Sequence, residues 1–237
     1  MADGLTGAGR PGTAASPRQL TRGRVVQAAV EFVDKHGMRE LTMRRLGAYL
    51  GVDPMAIYRH VPGRDALLDA VVGVVVDDVL EVMRREEAEP GTWDAYLERL
   101  AHAVRGAALA HPQVFPLVAT RPPAAPWLRP PLRSVRWVEL FLRTLRGAGF
   151  SGRQAVAAYR AFTSFLLGHL LLEVSAIGVD TSPVDEPAPT DPGVGDLAGF
   201  PTVAGLQAEL TEDHSAAEFQ RALDDLVAHV AAMRTGA

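Results

Sequence analysis

Arg44, Arg45, Tyr58, Arg59, His60 and Arg64 fall within one short stretch of the chain, four guanidinium-bearing cations interleaved with a phenol and an imidazole. Large cations beside an aromatic hydroxyl suit contact with phosphate oxygens better than they suit a packed core. Arginine is also the side chain that reads guanine with two parallel hydrogen bonds. Catalytic patterns are missing by comparison. The chain has no Gly-x-Ser-x-Gly, no His-Glu-x-x-His and no phosphate-binding Walker loop, and paired acids such as Asp77-Asp78 and Glu86-Glu87 fit solvated helix faces. Gly7-Ala-Gly-Arg-Pro-Gly12 has the spacing of a dinucleotide fingerprint, but no strand precedes it and a proline stands where a helix should begin. No catalytic residue, metal ligand or cofactor is therefore expected.

The segment Met43 to His60 has what two short helices crossing over a tight turn require. Gly47 is small where the second helix must approach, and Gly51 can take the positive φ of the turn. Leu46, Leu50, Val52, Ile57 and Val61 supply the contacts between the helices. Asp53 followed by Pro54 reads as an N-cap with a first-turn proline, and Thr42 caps the preceding helix. Helix Thr21 to His36 offers Val26, Ala29, Val30 and Val33 as a stripe, completing a small three-helix core. Two helices joined by a glycine turn also occur in proteins that never touch DNA. The cationic and phenolic surface left over shifts the reading toward a nucleic-acid binder.

The charge distribution agrees. The 237-residue chain has a formal charge of −4, yet residues 1–64 hold ten Lys/Arg against five Asp/Glu, so +5 sits at one end and −9 in the remainder. With no cysteine there is neither a disulfide framework nor a thiolate metal site. Met1 to Ser16 lacks the apolar centre of a signal peptide, and the longest apolar run, Ala161 to Leu172, is too short to cross a bilayer, so no membrane partner and a cytoplasmic location are expected.

Beyond a basic Gly/Ala/Pro-rich tail, residues 1–19, apolar residues recur at helical spacings and the fold class expected is all-α. Helices are predicted at about 21–36, 42–50, 54–60, 64–88, 92–110, 112–119, 130–147, 151–177, 203–212 and 215–233. A helix-turn-helix domain over 20–66 is followed by a larger helical domain over 67–237, with prolines breaking the chain near 122–131 and a disordered loop expected at 178–201. Phe219, Leu223, Leu226, Val230 and Met233 form one apolar seam. Helix 151–177 is apolar on more than one face, as expected of a helix shared between its own core and a partner.

Leu41-Thr-Met-Arg-Arg-Leu-Gly-Ala-Tyr-Leu-Gly-Val52, Ile57-Tyr-Arg-His-Val61 and Arg64-Asp-Ala-Leu-Leu-Asp69 resemble the DNA-binding signature of the tetracycline-repressor (TetR) family. Trp93, Leu109 to His111, Thr120-Arg121-Pro122, Gly149-Phe150-Ser151 and Gly168 extend the likeness over most of residues 20–233. The resemblance implies a homodimer that places two recognition helices in successive major grooves of an operator. It puts Thr42, Arg44, Pro54, Met55, Tyr58, His60 and Arg64 at DNA-facing positions, with Tyr58 and Arg64 on phosphates. Arg45 belongs to the same cationic surface, and Arg59 stands where the family often has an aromatic residue. Helices 151–177 and 215–233 would form a four-helix interface with their mates.

The resemblance also implies a ligand cavity. Positions at which tetracycline repressors hold a magnesium–tetracycline complex correspond to Leu80, Leu100, Leu117 or Val118, and Leu172, which offer no oxygen to a hard cation. An apolar or aromatic effector without metal is therefore expected, contacted by some of Leu100, Val104, Trp137, Phe141, Phe162, Ser164 and Phe165. Helix 64–88 would carry its arrival to the DNA-binding unit, making the chain a ligand-responsive repressor. The competing reading is a helical small-molecule-binding or interaction protein that does not bind DNA.

Overall fold

A computed structural model describes residues 20–86, 91–121, 134–181, 197 and 199–235. Among them every regular element is helical: α1 (Arg22–His36), α2 (Met43–Leu50), α3 (Pro54–Tyr58), α4 (Arg64–Glu86), α5 (Trp93–Ala110), α6 (Phe115–Thr120), α7 (Val135–Gly147), α8 (Gly152–Ala176), α9 (Pro201–Gly205), α10 (Gln207–Thr211) and α11 (Ser215–Thr235), with a 3-10 turn at Met38–Glu40. The expected tail, the proline-rich break and most of the expected loop at 178–201 lie outside the described residues. Where that last stretch is described, it is anchored: Val179 is buried and Asp180 accepts from Arg39 Nε at 2.7 Å. Helix α9 starts at Pro201, ahead of the expected 203, because proline's fixed φ suits the first turn of a helix.

Local chemistry sets the boundaries. Thr21 Oγ1 accepts from Arg24 N at 3.2 Å to open α1, and Gly37 closes it at φ 84°. Ser134 caps α7 by accepting from Trp137 N at 3.3 Å. At the start of α8, Ser151 and Gln154 satisfy each other's backbone amides, while Gln154 Nε2 donates to Met233 O at 2.7 Å and so fixes the end of α11.

Two apolar cores result. The first gathers Val25, Val26, Ala29, Val30 and Val33 of α1, Leu46, Ile57 and Val61 of the helix-turn-helix, and Leu67, Leu68, Val71 and Val75 of α4, with Val114 beside α6. The second holds Val79 and Met83 of α4 with the buried faces of α5, α6, α7, α8 and α11. Helix α4 is continuous from Arg64 to Glu86, so it belongs to both cores, and the expected division at residue 66 falls within its first turn. A rigid element shared in this way transmits displacement from one core to the other.

The C-terminal seam is internal. Phe219, Leu223 and Val230 are buried, and Leu226 and Met233 pack partly against the same core. Helix α8 is long and apolar enough to cross a membrane by length and composition, and its buried side packs on α5, α6, α7 and α11. Its near-buried Glu173 is held by Arg105, whose Nη2 donates at 2.5 Å and whose Nε donates at 3.1 Å to each carboxylate oxygen.

Candidate nucleic-acid interface and ligand cavity

The turn between α2 and α3 is built on two glycines with different tasks. Gly51 closes α2 in the left-handed region at φ 69°, and open space surrounds the position of an added Cβ. A Cβ on Gly47 would meet Val52 O at 3.0 Å and the Pro54 ring at 3.3 Å, so the absence of a side chain is what lets α3 lie close. Thr42 Oγ1 accepts from Arg45 N at 3.1 Å and Asp53 Oδ1 from Met55 N at 2.8 Å, capping both helices. Ile57 is turned fully into the core, which leaves Met55, Tyr58 and Arg59 outside.

Each side chain expected at a DNA-facing position can be placed. Thr42, Arg44, Met55, Tyr58 and Arg59 are exposed, and Pro54 and His60 are half-buried. Met55 is 67% exposed and Tyr58 43%, so both present their side chains to solvent beside the cations. The side chains of Arg44, Tyr58 and Arg59 make no hydrogen bond or ion pair among the described residues. Two of the predicted cations are occupied. Arg45 forms an ion pair with Glu40, and half-buried Arg64 donates from Nε to Leu41 O at 3.4 Å. Helix α3 ends at Tyr58, two residues short of the expected 60, so Arg59 and His60 sit on the turn that follows.

The inner cavity is lined by valines 75, 76 and 79 of α4, by Val104 and Ala107 of α5, by Phe115 and Val118 of α6, by Ser134 and Trp137 beside α7, and by Thr163, Leu166 and Leu167 of α8. Of the expected contacts, Val104 and Trp137 line it. Leu100, Phe141 and Phe162 are buried elsewhere in the core, where Phe141 and Phe162 rings pack at 5.3 Å. Ser164 is exposed and Phe165 stacks on Phe219 at 5.7 Å, so both leave the cavity. Thr163 takes the place expected of Ser164, one residue away and on the other side of the helix. Leu172, aligned with a cavity position, is 74% exposed. Sequence missed the α4 valines, although the run Val71 to Val76 signals a helix buried on more than one side.

The cavity leaves about 40 Å³ of open space, against about 300–1,000 Å³ for pockets that enclose drug-sized ligands. Val75, Val79 and Ala107 also form the floor of an open groove of about 410 Å³ between α4 and α5, rimmed by Asp78, Arg99, His102 and His111. Polar groups are few inside. Trp137 Nε1 is buried with no hydrogen-bond partner among the described residues. The Thr163 hydroxyl lies beside Tyr159, whose phenol is pushed above its ordinary value by burial, an effect Thr163 opposes.

Three polar links join the two cores. His111 Nδ1 meets Asp34 Oδ2 at 2.7 Å, Arg121 Nε meets Asp69 Oδ1 at 2.5 Å, and Arg39 meets Asp180. The ends of α5, α6 and α8 are thus fastened to α1, α4 and the turn before α2.

Comparison with known proteins agrees with this geometry. The family profile described as "Bacterial regulatory proteins, tetR family" matches residues 25–71, and "Tetracyclin repressor-like, C-terminal domain" matches residues 87–234. The chain is 30% identical over 164 residues to the HTH-type transcriptional repressor DrrR1 of Streptomyces coeruleorubidus, an alignment covering 67% of this chain and 55% of that one, little more than half of the relative's length. It is 30% identical over 210 residues to the tetracycline repressor protein class G of Vibrio anguillarum, covering 89% and 93%. Among solved structures, a possible TetR family transcriptional regulator from Streptomyces coelicolor A3(2) superposes with a TM-score of 0.70 at 28% identity, covering 90% of this chain and 100% of that one. ActR of Streptomyces coelicolor in complex with actinorhodin superposes at 0.66 with 26% identity, covering 91% and 99%. A helix-turn-helix core coupled by one shared helix to a larger helical core, matched by both profiles in chain order, makes this protein a member of the TetR family of bacterial regulators.

Proposed function

We propose that the chain is a ligand-responsive transcriptional repressor that binds a palindromic operator as a homodimer and releases it when a small apolar or aromatic molecule enters the inner cavity. The observation that carries this reading is the continuity of α4: its first half is core to the helix-turn-helix and its second half is a wall of the cavity. Arg44, Tyr58 and Arg59 have side chains free to meet DNA, with Thr42, Pro54, Met55 and His60 beside them. Arg45 and Arg64 would reach phosphate only by leaving Glu40 and Leu41 O.

Because the closed cavity is far smaller than a ligand, its occupant must part the walls. The movable wall is α4 with its three valines, and its displacement would shift the recognition helix of each subunit. Operator half-sites about 34–36 Å apart tolerate little change in that spacing. Only a ligand that prefers the parted state shifts the equilibrium. That ActR is solved in complex with actinorhodin supports a small-molecule guest in such a fold. The apolar lining here argues against a metal-borne one.

The homodimer would form through the outward faces of α8 and α11, since the seam of α11 is spent on its own core. On α8 that face runs Arg153, Ala157, Arg160, Ser164, Gly168 and Leu172, of which Ala157, Ser164 and Gly168 are small enough to permit close helix approach. Leu172, Ile177 and Leu210 border one groove and stand 74%, 60% and 67% exposed, an apolar surface that a second copy would cover. Action on chromosomal DNA places the protein in the cytoplasm.

Gel shifts with the DNA upstream of the protein's own gene test the proposal. Sequence-selective, salt-sensitive retardation that disappears in Tyr58→Ala supports it. Ligand binding without any DNA affinity would mark a small-molecule-binding protein instead.

A further inference from the structure

Trp137 lies in the first turn of α7, its backbone amide held by Ser134 Oγ at 3.3 Å and its side chain packed to 7% exposure. Its indole N–H is an obligate donor. Buried polar groups in folded proteins are nearly always paired, because leaving one unpaired forfeits its solvation without return. Around Trp137 the cavity wall offers valines, Leu166, Leu167 and Phe115, none of which accepts a hydrogen bond. The hydroxyls in the lining are those of Ser134, whose Oγ accepts from the Trp137 backbone amide, and of Thr163 on α8, whose Oγ1 is likewise buried with no partner among the described residues. Among the described lining residues none is Asp, Glu, Lys, Arg or His, so none of them offers a counter-ion to a charged guest.

We propose that the effector is an uncharged, apolar ring compound bearing a hydrogen-bond acceptor, such as a ketone oxygen, and that Trp137 Nε1, covered in the closed cavity and uncovered as the walls part, donates to it. This rests on reading the cavity as the effector site. The unsatisfied donor raises the energy of the closed state, and an acceptor-bearing guest relieves it while it separates α4 from α7. Hydrocarbons of the same shape fill the space without that gain. Trp137 thereby sets which molecules are recognised, whereas the valines of α4 report that any has arrived.

Indane and 1-indanone, matched in shape and differing in one carbonyl, are the probes. Their dissociation constants are measured by calorimetry on the full-length protein and on Trp137→Phe, whose cooperative melting is checked first. Forming the ratio of the two affinities in each protein and comparing the ratios removes the cost of desolvating the ketone. The preference for 1-indanone should be roughly 2- to 12-fold greater in the wild type, the range expected for one net hydrogen bond. The ketone stretch should move to lower frequency on binding the wild type and not the variant, and the Trp137 indole proton should shift with 1-indanone but not with indane. Equal ratios in the two proteins, with both probes bound, overturn the assignment of Trp137 and leave the cavity reading in place. Binding of neither probe overturns the cavity reading itself. Should Trp137→Phe fail to fold, the indole proton and ketone stretch in the wild type decide alone.

Discussion

Arg121 Nε lies 2.5 Å from Asp69 Oδ1, and Arg121 Nη2 donates to Asp65 O at 2.9 Å, so the last residue described after α6 is fastened to the first turns of α4. The arginine side chain is only 14% exposed and the Asp69 side chain 40%. This link joins a helix that lines the cavity to the helix that supports the DNA-binding unit. A double-mutant cycle with Arg121→Gln and Asp69→Asn, followed by urea denaturation, should give a coupling of about 1 kcal/mol, toward the low end for charged hydrogen bonds because Asp69 is partly solvated. A coupling near zero would show that the pair carries no energy between the cores.

The two turn glycines should respond differently to substitution. Gly47→Ala brings a Cβ against Val52 O and the Pro54 ring, neither of which is a flexible chain end, so strain of about 1–3 kcal/mol exceeds the roughly 1 kcal/mol gained in helix propensity. Gly51→Ala meets no atom and costs about 1–2 kcal/mol for the left-handed backbone alone. Asparagine tolerates that region better, so Gly51→Asn should restore part of the loss while Gly47→Asn should not. Urea midpoints for the four variants measure this; rescue at both positions would contradict the distinction.

Tyr58→Phe and Arg44→Ala remove groups that make no hydrogen bond or ion pair among the described residues. Both should leave stability within about 0.5 kcal/mol of wild type. Arg44→Ala should lower DNA affinity and, if Arg44 meets a phosphate, reduce the slope of log affinity against log salt by about 1. Fluorescence anisotropy across a salt series reads both effects, and an unchanged affinity and slope would remove Arg44 from the interface.

Burial holds the Tyr159 phenol above its ordinary value of 10.0. The folded state therefore keeps the proton where the unfolded state releases it. The associated stability is intact below pH 10.0 and is lost as pH rises beyond it. Stability of the wild type relative to Tyr159→Phe should thus fall as pH rises above 10.0. A difference that stays flat as pH rises above 10.0 would mean that Tyr159 ionises freely in the folded protein.

Helix positions, caps and the glycine turn were legible in the sequence because each depends on neighbours a few residues away. Thr42, Gly51 and Asp53-Pro54 signal their roles locally, and the structure uses them accordingly. The cavity was less legible because its walls come from five helices far apart in the chain. On α8, apolar residues occupy several faces, so spacing alone did not separate inward Thr163 from outward Ser164. The Phe219 to Met233 seam was visible as a seam, but periodicity does not tell whether a subunit turns it toward its own core or a partner. Nor does sequence reveal that Arg45 is taken by Glu40, a contact decided by the turn between them.

The most direct test of the account is a footprint of the protein on the DNA upstream of its own gene, with and without an effector that occupies the cavity. Two protected half-sites related by a dyad, their centres one helical turn or a multiple apart, should appear and should be lost together when the effector is added. Protection spread evenly without regard to sequence, or a single unpaired half-site indifferent to the effector, would contradict it.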